Sequence, residues 1–194
     1  MWKRLALNLL RGPVTDPPVA AGDAALAELA EAGLADLGRQ VDRVARQRLG
    51  RSLAIREVDA GSCNGCELEI NALNNAVYDL ERFGIRFVAS PRHADVLLVT
   101  GPVTWNMREA LERTVVATPE PRWVVAVGDC AFDGGLFAGS YACVGGVGAV
   151  VPVDLHIRGC PPSPTLLLQG LLALLSNASA APASRPVVIG GKTP

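Results

Sequence analysis

The chain has 194 residues, 49% of them apolar, with 18 basic and 19 acidic side chains and a formal net charge of −1. That apolar share is enough to bury one core and argues against wholesale disorder. The near-balanced charge leaves no global basic field for nucleic acid, and five cysteines, an odd number, argue against a fully paired disulfide framework.

Residues 1–22 read as an irregular arm, since prolines at 13, 17 and 18 prevent a continuous helix. Its start, MWKRLALNLLRGP, is basic and apolar but too short and broken for a signal peptide. Lys3, Arg4 and Arg11, with Trp2 and several leucines, suit a membrane surface or a partner protein. Two turns bury little area, which favours the partner. Residues 23–48 place Ala, Leu, Glu and Arg at helical spacing and predict an amphipathic helix that can bend at Gly33 or Gly38. LAIREVD then predicts a strand, and ELEINALNNAVYDLERFG a helix stopped by Gly84. IRFVAS and DVLLVTG predict two strands, WNMREALERTVV a helix, and RWVVAVGD a buried strand. A glycine-rich loop continues through residue 148. PSPTLLLQGLLALL predicts the last helix, with Ser163 as N-cap and Pro164 in the first helical position. Its apolar run of 11 residues falls short of the roughly 20 needed to span a membrane. From Asn177 the chain is small, polar and proline-bearing, and predicts a flexible tail.

Strands alternating with helices predict a mostly parallel, doubly wound α/β sheet. The expected parts are an arm and helix over 1–50, an α/β domain over 51–178 and a tail over 179–194. Ligands of such sheets sit outside the carboxyl ends of the strands. The cysteines fall there: Cys63 and Cys66 after LAIREVD, Cys130 after WVVAVGD, and Cys160 after VVPVDLHIRG. A soluble protein in a reducing compartment is expected, where spaced cysteines bind metal or do redox work.

Each of the three cysteine loops, GSCNGCE, VGDCAFDGG and IRGCPPSP, carries glycine or proline beside the cysteine. Glycine lets backbone N–H groups approach an inorganic core, and proline stiffens the loop. Four thiolates are the usual ligand set of a 4Fe–4S cluster. They also suit a tetrahedral zinc site, although zinc ribbons use two Cys-x-x-Cys knuckles, whereas here the third and fourth cysteines are single. A thioredoxin-like pair would leave the other cysteines unexplained. Cys143, in GSYACVGG, stands apart and fits a small buried hydrophobe.

The segments CNGCE, ERFGI, SPRHADVLLVTGPVT, GDCAFDGGLF and VPVDLHIRGCPPSP resemble, in order, the small subunit of membrane-associated, energy-converting nickel–iron hydrogenases. That family is homologous to the 20 kDa subunit of complex I, which carries its last iron–sulfur cluster. The resemblance covers about residues 52 to 176 and leaves out the arm and first helix. It implies a flavodoxin-like domain holding one 4Fe–4S cluster on Cys63, Cys66, Cys130 and Cys160. The complex I proteins have adjacent cysteines at the first pair; CNGCE follows the hydrogenases instead.

Glu67 matches a family glutamate placed to relay protons, and as an acid in a first helical turn it also fits the helix dipole. Arg92 and His93 match a motif before the second core strand; His93 fits a bond near the cluster or a structural loop role. His156 fits the surface or an interface better than a ligand role. Asp129 and Asp133 fit local turn bonds or orientation of loop N–H groups.

The resemblance implies an electron-transfer subunit of an oxidoreductase complex, not catalytic alone. Its partners would be a catalytic large subunit, a ferredoxin-like iron–sulfur subunit and membrane subunits, on the cytoplasmic side of the inner membrane. The alternative is the equivalent component of a quinone-reducing, complex I-like NADH dehydrogenase assembly. A zinc-stabilised scaffold is a third reading. There is no Gly-x-Gly-x-x-Gly fingerprint or P-loop for a nucleotide.

Overall fold

The computed structural model describes residues 23–177 and 187–189, with side chains over 33–176. The expected arm and most of the expected tail lie outside these residues. Eight strands follow in chain order: β1 (Ala54–Asp59), β2 (Arg86–Phe87), β3 (Val96–Thr100), β4 (Val103–Thr104), β5 (Trp123–Val127), β6 (Cys143–Gly145), β7 (Leu155–Ile157) and β8 (Val187–Ile189). The helices are α1 (Asp23–Leu49), α2 (Gly65–Ala72), α3 (Trp105–Ala117), α4 (Asp129–Asp133) and α5 (Pro164–Asn177).

The six-stranded sheet has the order β2-β1-β3-β5-β7-β8, with every neighbouring pair parallel. Without its last strand this is the flavodoxin-like order, in which the direction of winding reverses between β1 and β3. β8 extends the sheet beyond β7 from within the expected tail. β4 and β6 form a separate antiparallel pair.

β3 is buried at all five positions, because helices cover both faces of a parallel sheet. Alternate residues feed the two sides. Val96, Leu98, Val125 and Val127 pack in one core with Val41 of α1, Ile70 of α2 and Leu171 of α5. Leu97, Val99, Val124 and Ala126 pack in the other with Leu111 and Val115 of α3. The chain divides into two units, Met1–Gly33 and Leu34–Pro194. The second includes the end of α1, whose Leu34, Val41 and Ala45 are buried in its core.

Two elements differ from the sequence reading. The helix expected to reach Gly84 ends at Ala72, and only a 3-10 turn over Leu80–Phe83 follows. Asn75 is the local cause: its Oδ1 accepts from the N–H groups of Val77 at 2.8 Å and Tyr78 at 3.0 Å, an Asx turn that competes with helix. Asp79 then adopts φ 43, a left-handed conformation. The strand expected over IRFVAS pairs over only two residues. By contrast, α5 starts as its sequence predicts: Ser163 Oγ accepts from Leu166 N at 3.3 Å, and Pro164 opens the helix.

Candidate functional site

All three cysteine loops leave the carboxyl ends of parallel strands, at the edge where doubly wound sheets bind ligands. After β1, Asp59 Oδ1 accepts from the N–H groups of Gly61 and Ser62, both at 2.8 Å, and Ser62 Oγ accepts from Asn64 N at 3.0 Å. These bonds fix the turn that carries Cys63, and Cys66 follows in the first turn of α2. Cys130 lies on the short helix α4, after β5. Cys160 lies between β7 and α5.

Backbone bonds hold the second and third loops together: Gly128 N donates to Ile157 O at 2.8 Å, and Asp129 N to Gly159 O at 2.9 Å. Gly128 has φ 91, and a Cβ there would stand 2.6 Å from Cys66 Sγ. Gly135, at φ 49, comes close to Cys130, since its Cβ would lie 2.9 Å from that sulfur. Only glycine fits either place without strain.

The four thiols are electrostatic neighbours. Burial pushes the Cys66 thiol up to about 12, helped by Glu67 and then by Cys130, Cys63 and Cys160. Burial also raises Cys130, with further contributions from Cys160, Cys63 and Asp129, while the backbone N–H of Leu136 bonds its sulfur and lowers it. Cys63 and Cys160 are exposed, and Cys66 and Cys130 partly buried, so the sulfur group opens outward on one side. Cys143 is not among these neighbours. It sits on β6 opposite Thr104.

Four thiols and a buried carboxyl crowded together repel one another once ionised, and a positively charged inorganic core would offset that repulsion. Soft thiolates, a sulfur-directed N–H and glycine at close approach fit an iron–sulfur core. Among the described residues, no three His, Cys, Asp or Glu side chains stand close enough to bind one metal ion.

Glu67 is 7% exposed, and neither of its carboxylate oxygens has a hydrogen-bond partner. It faces Glu57 of β1, whose carboxyl is pushed up to about 7 by burial first, then by Glu67 and Asp59. Sequence reasoning missed Glu57, because its pairing with Glu67 is a contact across the fold. Glu57 also lines a pocket of about 220 Å³ with Arg56, Asn71, Asn74 and Phe87, which includes none of the cysteines.

Arg92 and His93 are exposed on a 3-10 turn before β3, at the amino end of the sheet, which fits the loop role for His93 rather than a bond near the cysteines. One expectation is corrected. His156 is 6% exposed, not a surface residue, because it packs edge-on against Phe132 with ring centroids 4.9 Å apart. Asp133 accepts from Gly135 N at 2.8 Å, a local turn bond as expected. Asp129 binds Arg158 and Gly159 across the fold, which local spacing does not reveal.

Residues 63–174 match the family described as NADH ubiquinone oxidoreductase, 20 Kd subunit. The chain is 45% identical over 129 residues to formate hydrogenlyase subunit 7 of Escherichia coli (strain K12), covering 66% of this chain and 51% of that one. It is 46% identical over 110 residues to an NADH-quinone oxidoreductase subunit of Heliobacterium modesticaldum (strain ATCC 51547 / Ice1), covering 56% of this chain and 63% of that one. It thus spans about half the length of the first and under two thirds of the second. Among solved structures, the membrane-bound sulfane sulfur reductase, an archaeal respiratory membrane complex, contains a similar chain at 36% identity. Its TM-score is 0.58, covering 68% of this chain and 71% of that one. The chain belongs to the NADH ubiquinone oxidoreductase 20 Kd subunit family, whose members are subunits of oxidoreductase complexes.

Proposed function

We propose that the chain holds one 4Fe–4S cluster on Cys63, Cys66, Cys130 and Cys160. It would serve as the electron-transfer subunit of a membrane-associated nickel–iron hydrogenase complex, between a ferredoxin-like iron–sulfur subunit and a catalytic large subunit. The observation that carries this reading is the gathering of four thiols from three loops at the carboxyl edge of the sheet. When bound, such a cluster takes up and releases one electron at a time.

The chain's own groups do the rest. The cysteines grip from three directions, and Leu136 N–H stabilises charge on Cys130. Glu67, buried beside Cys66 with its oxygens unpartnered, can hold a proton at Oε1 or Oε2 and pass it toward Glu57 or a neighbouring protein. The outward side at Cys63 and Cys160 needs a partner to keep water off. Exposed Leu136, Phe137 and Tyr141 beyond Cys130, with Trp105, supply apolar surface for that partner, and the start of α5 flanks it. No helix among the described residues is long and apolar enough to cross a membrane. Membrane subunits would supply the span, with this chain peripheral on the cytoplasmic side of the inner membrane.

Anaerobic purification tests the reading. The expected result is a brown protein that bleaches in air, with four irons per chain and a paramagnetic signal on reduction. A colourless, air-tolerant protein with stoichiometric zinc and no such signal overturns it.

The identity to an NADH-quinone oxidoreductase component favours a second reading, in which the neighbouring protein reduces quinone. CNGCE supports the hydrogenase branch, because the complex I proteins resembling this chain have adjacent cysteines there. Nickel in the purified complex, and two Cys-x-x-Cys pairs in the large subunit, would support the first reading; their absence would support the second.

A further inference from the structure

Arg158 leaves the end of β7 two residues before Cys160. Its Nε donates to Asp129 Oδ1 at 2.5 Å, and its guanidinium lies 4.0 Å from the centroid of the Phe132 ring. The same Oδ1 accepts from Gly159 N at 3.3 Å, and Asp129 N donates back to Gly159 O at 2.9 Å. Asp129 directly precedes Cys130, and Gly159 directly precedes Cys160. One carboxylate therefore ties together the residues just before two of the four cysteines. The two side chains are only 14% and 13% exposed. Charges this deep persist only when paired, and the stacked Phe132 fixes the guanidinium in place.

We propose that Arg158 is a positioning residue: through Asp129 it locks the Cys130 and Cys160 loops to each other, and the balance of the two charges sets the electrostatic field at the sulfurs. The inference rests on the cluster proposed at those cysteines. Loss of the guanidinium removes one positive charge beside Cys130 and Cys160, which disfavours adding an electron and lowers the midpoint potential. Loss of the carboxylate charge leaves the cation uncompensated and raises it. Loosened loops alone would move both variants in the same direction, so opposite signs distinguish a set field from simple loss of packing.

The test is a redox titration, followed by paramagnetic resonance, of the full chain purified anaerobically with its copurifying subunits, with iron measured in parallel. The expected results are a lower midpoint for Arg158→Gln, a higher one for Asp129→Asn and a midpoint near wild type for Arg158→Lys. Shifts of the same sign, or unmoved midpoints in both charge variants, overturn the inference. If Arg158→Gln binds no iron, the other two variants decide it. Iron and a near-native midpoint in Arg158→Lys with a raised midpoint in Asp129→Asn support it, and an iron-free Arg158→Lys or an unmoved Asp129→Asn overturns it. A wild-type chain without the iron–sulfur signal removes the cluster reading itself and this inference with it, whereas a loaded wild type with unresponsive variants removes only the inference.

Discussion

At Gly128 a single hydrogen atom separates a working loop from a clash. The backbone is at φ 91, its N–H is engaged by Ile157 O, and a Cβ would stand 2.6 Å from Cys66 Sγ. Gly128→Ala would meet strain of about 1–3 kcal/mol and push on a proposed ligand. The expected outcome is loss of most of the iron from the anaerobically purified chain, and wild-type iron content in this variant would count against the proposed site. Glu57 gives a second test. Its folded carboxyl is raised from 4.5 to about 7 by burial and by Glu67, so the native state binds more protons than the unfolded chain between those values. Stability therefore falls as pH rises through that window, and the full cost is present above about 7. Solvent screening of this partly exposed group leaves a cost of about 1 kcal/mol. The advantage of Glu57→Gln over wild type in thermal unfolding should grow between pH 4.5 and pH 8. An advantage equal at both ends would refute the assignment. The placement of the three cysteine loops was legible, because each is a short glycine- or proline-bearing segment that follows a strand. The Arg158–Asp129 pair was not, since its members lie 29 residues apart and meet only when β5 and β7 align.

Among the elements, the amino-terminal starts of β1, β3 and β5 are held together at one acid. Asp95 is 1% exposed; its Oδ1 accepts from Arg51 Nη2 at 2.5 Å and its Oδ2 from Ala54 N at 2.9 Å. Its backbone N–H donates to Ala54 O at 2.8 Å, and its O accepts from Trp123 N at 3.0 Å. Asp95→Ala would leave the Ala54 N–H buried without a partner, a loss of about 2 kcal/mol. Arg51 is half exposed and can turn to water, which keeps the loss at that level. Urea unfolding should show a lower midpoint with an unchanged slope, and a loss within experimental error would show that the backbone bonds alone suffice. The same scale shows what sequence could reveal. β3 and β5 are runs of apolar residues, buried along nearly their whole length, and α5 announces itself by Ser163 and Pro164. α2 could not be delimited, because its stop depends on the Asn75 side chain choosing the N–H groups of Val77 and Tyr78. α4, β4 and β6 have five residues or fewer, too short for a hydrophobic period to register.

For the whole molecule, the sheet presents its carboxyl edge with two of the four cysteines exposed, and the segment after Cys130 leaves large side chains uncovered. Leu136 is 87% exposed and Tyr141 96%, while Trp105 Nε1 donates to Tyr141 O at 3.1 Å and keeps that segment in place. Apolar side chains beside a proposed redox centre suit a surface that a partner covers, since close approach and exclusion of water are both needed for transfer between proteins. The Leu136 N–H that bonds Cys130 is a backbone group and survives a change of side chain. Leu136→Ser with Tyr141→Ser should therefore leave iron content and the reduced-state signal as in wild type, because neither side chain supports the core. Recovery of partner subunits in affinity purification should fall about tenfold, equivalent to about 1.4 kcal/mol of lost association. Undiminished recovery would mean that the partner sits elsewhere, on the face of α5 or beyond the described residues. Loss of iron together with partners would mean instead that the segment shapes the site itself.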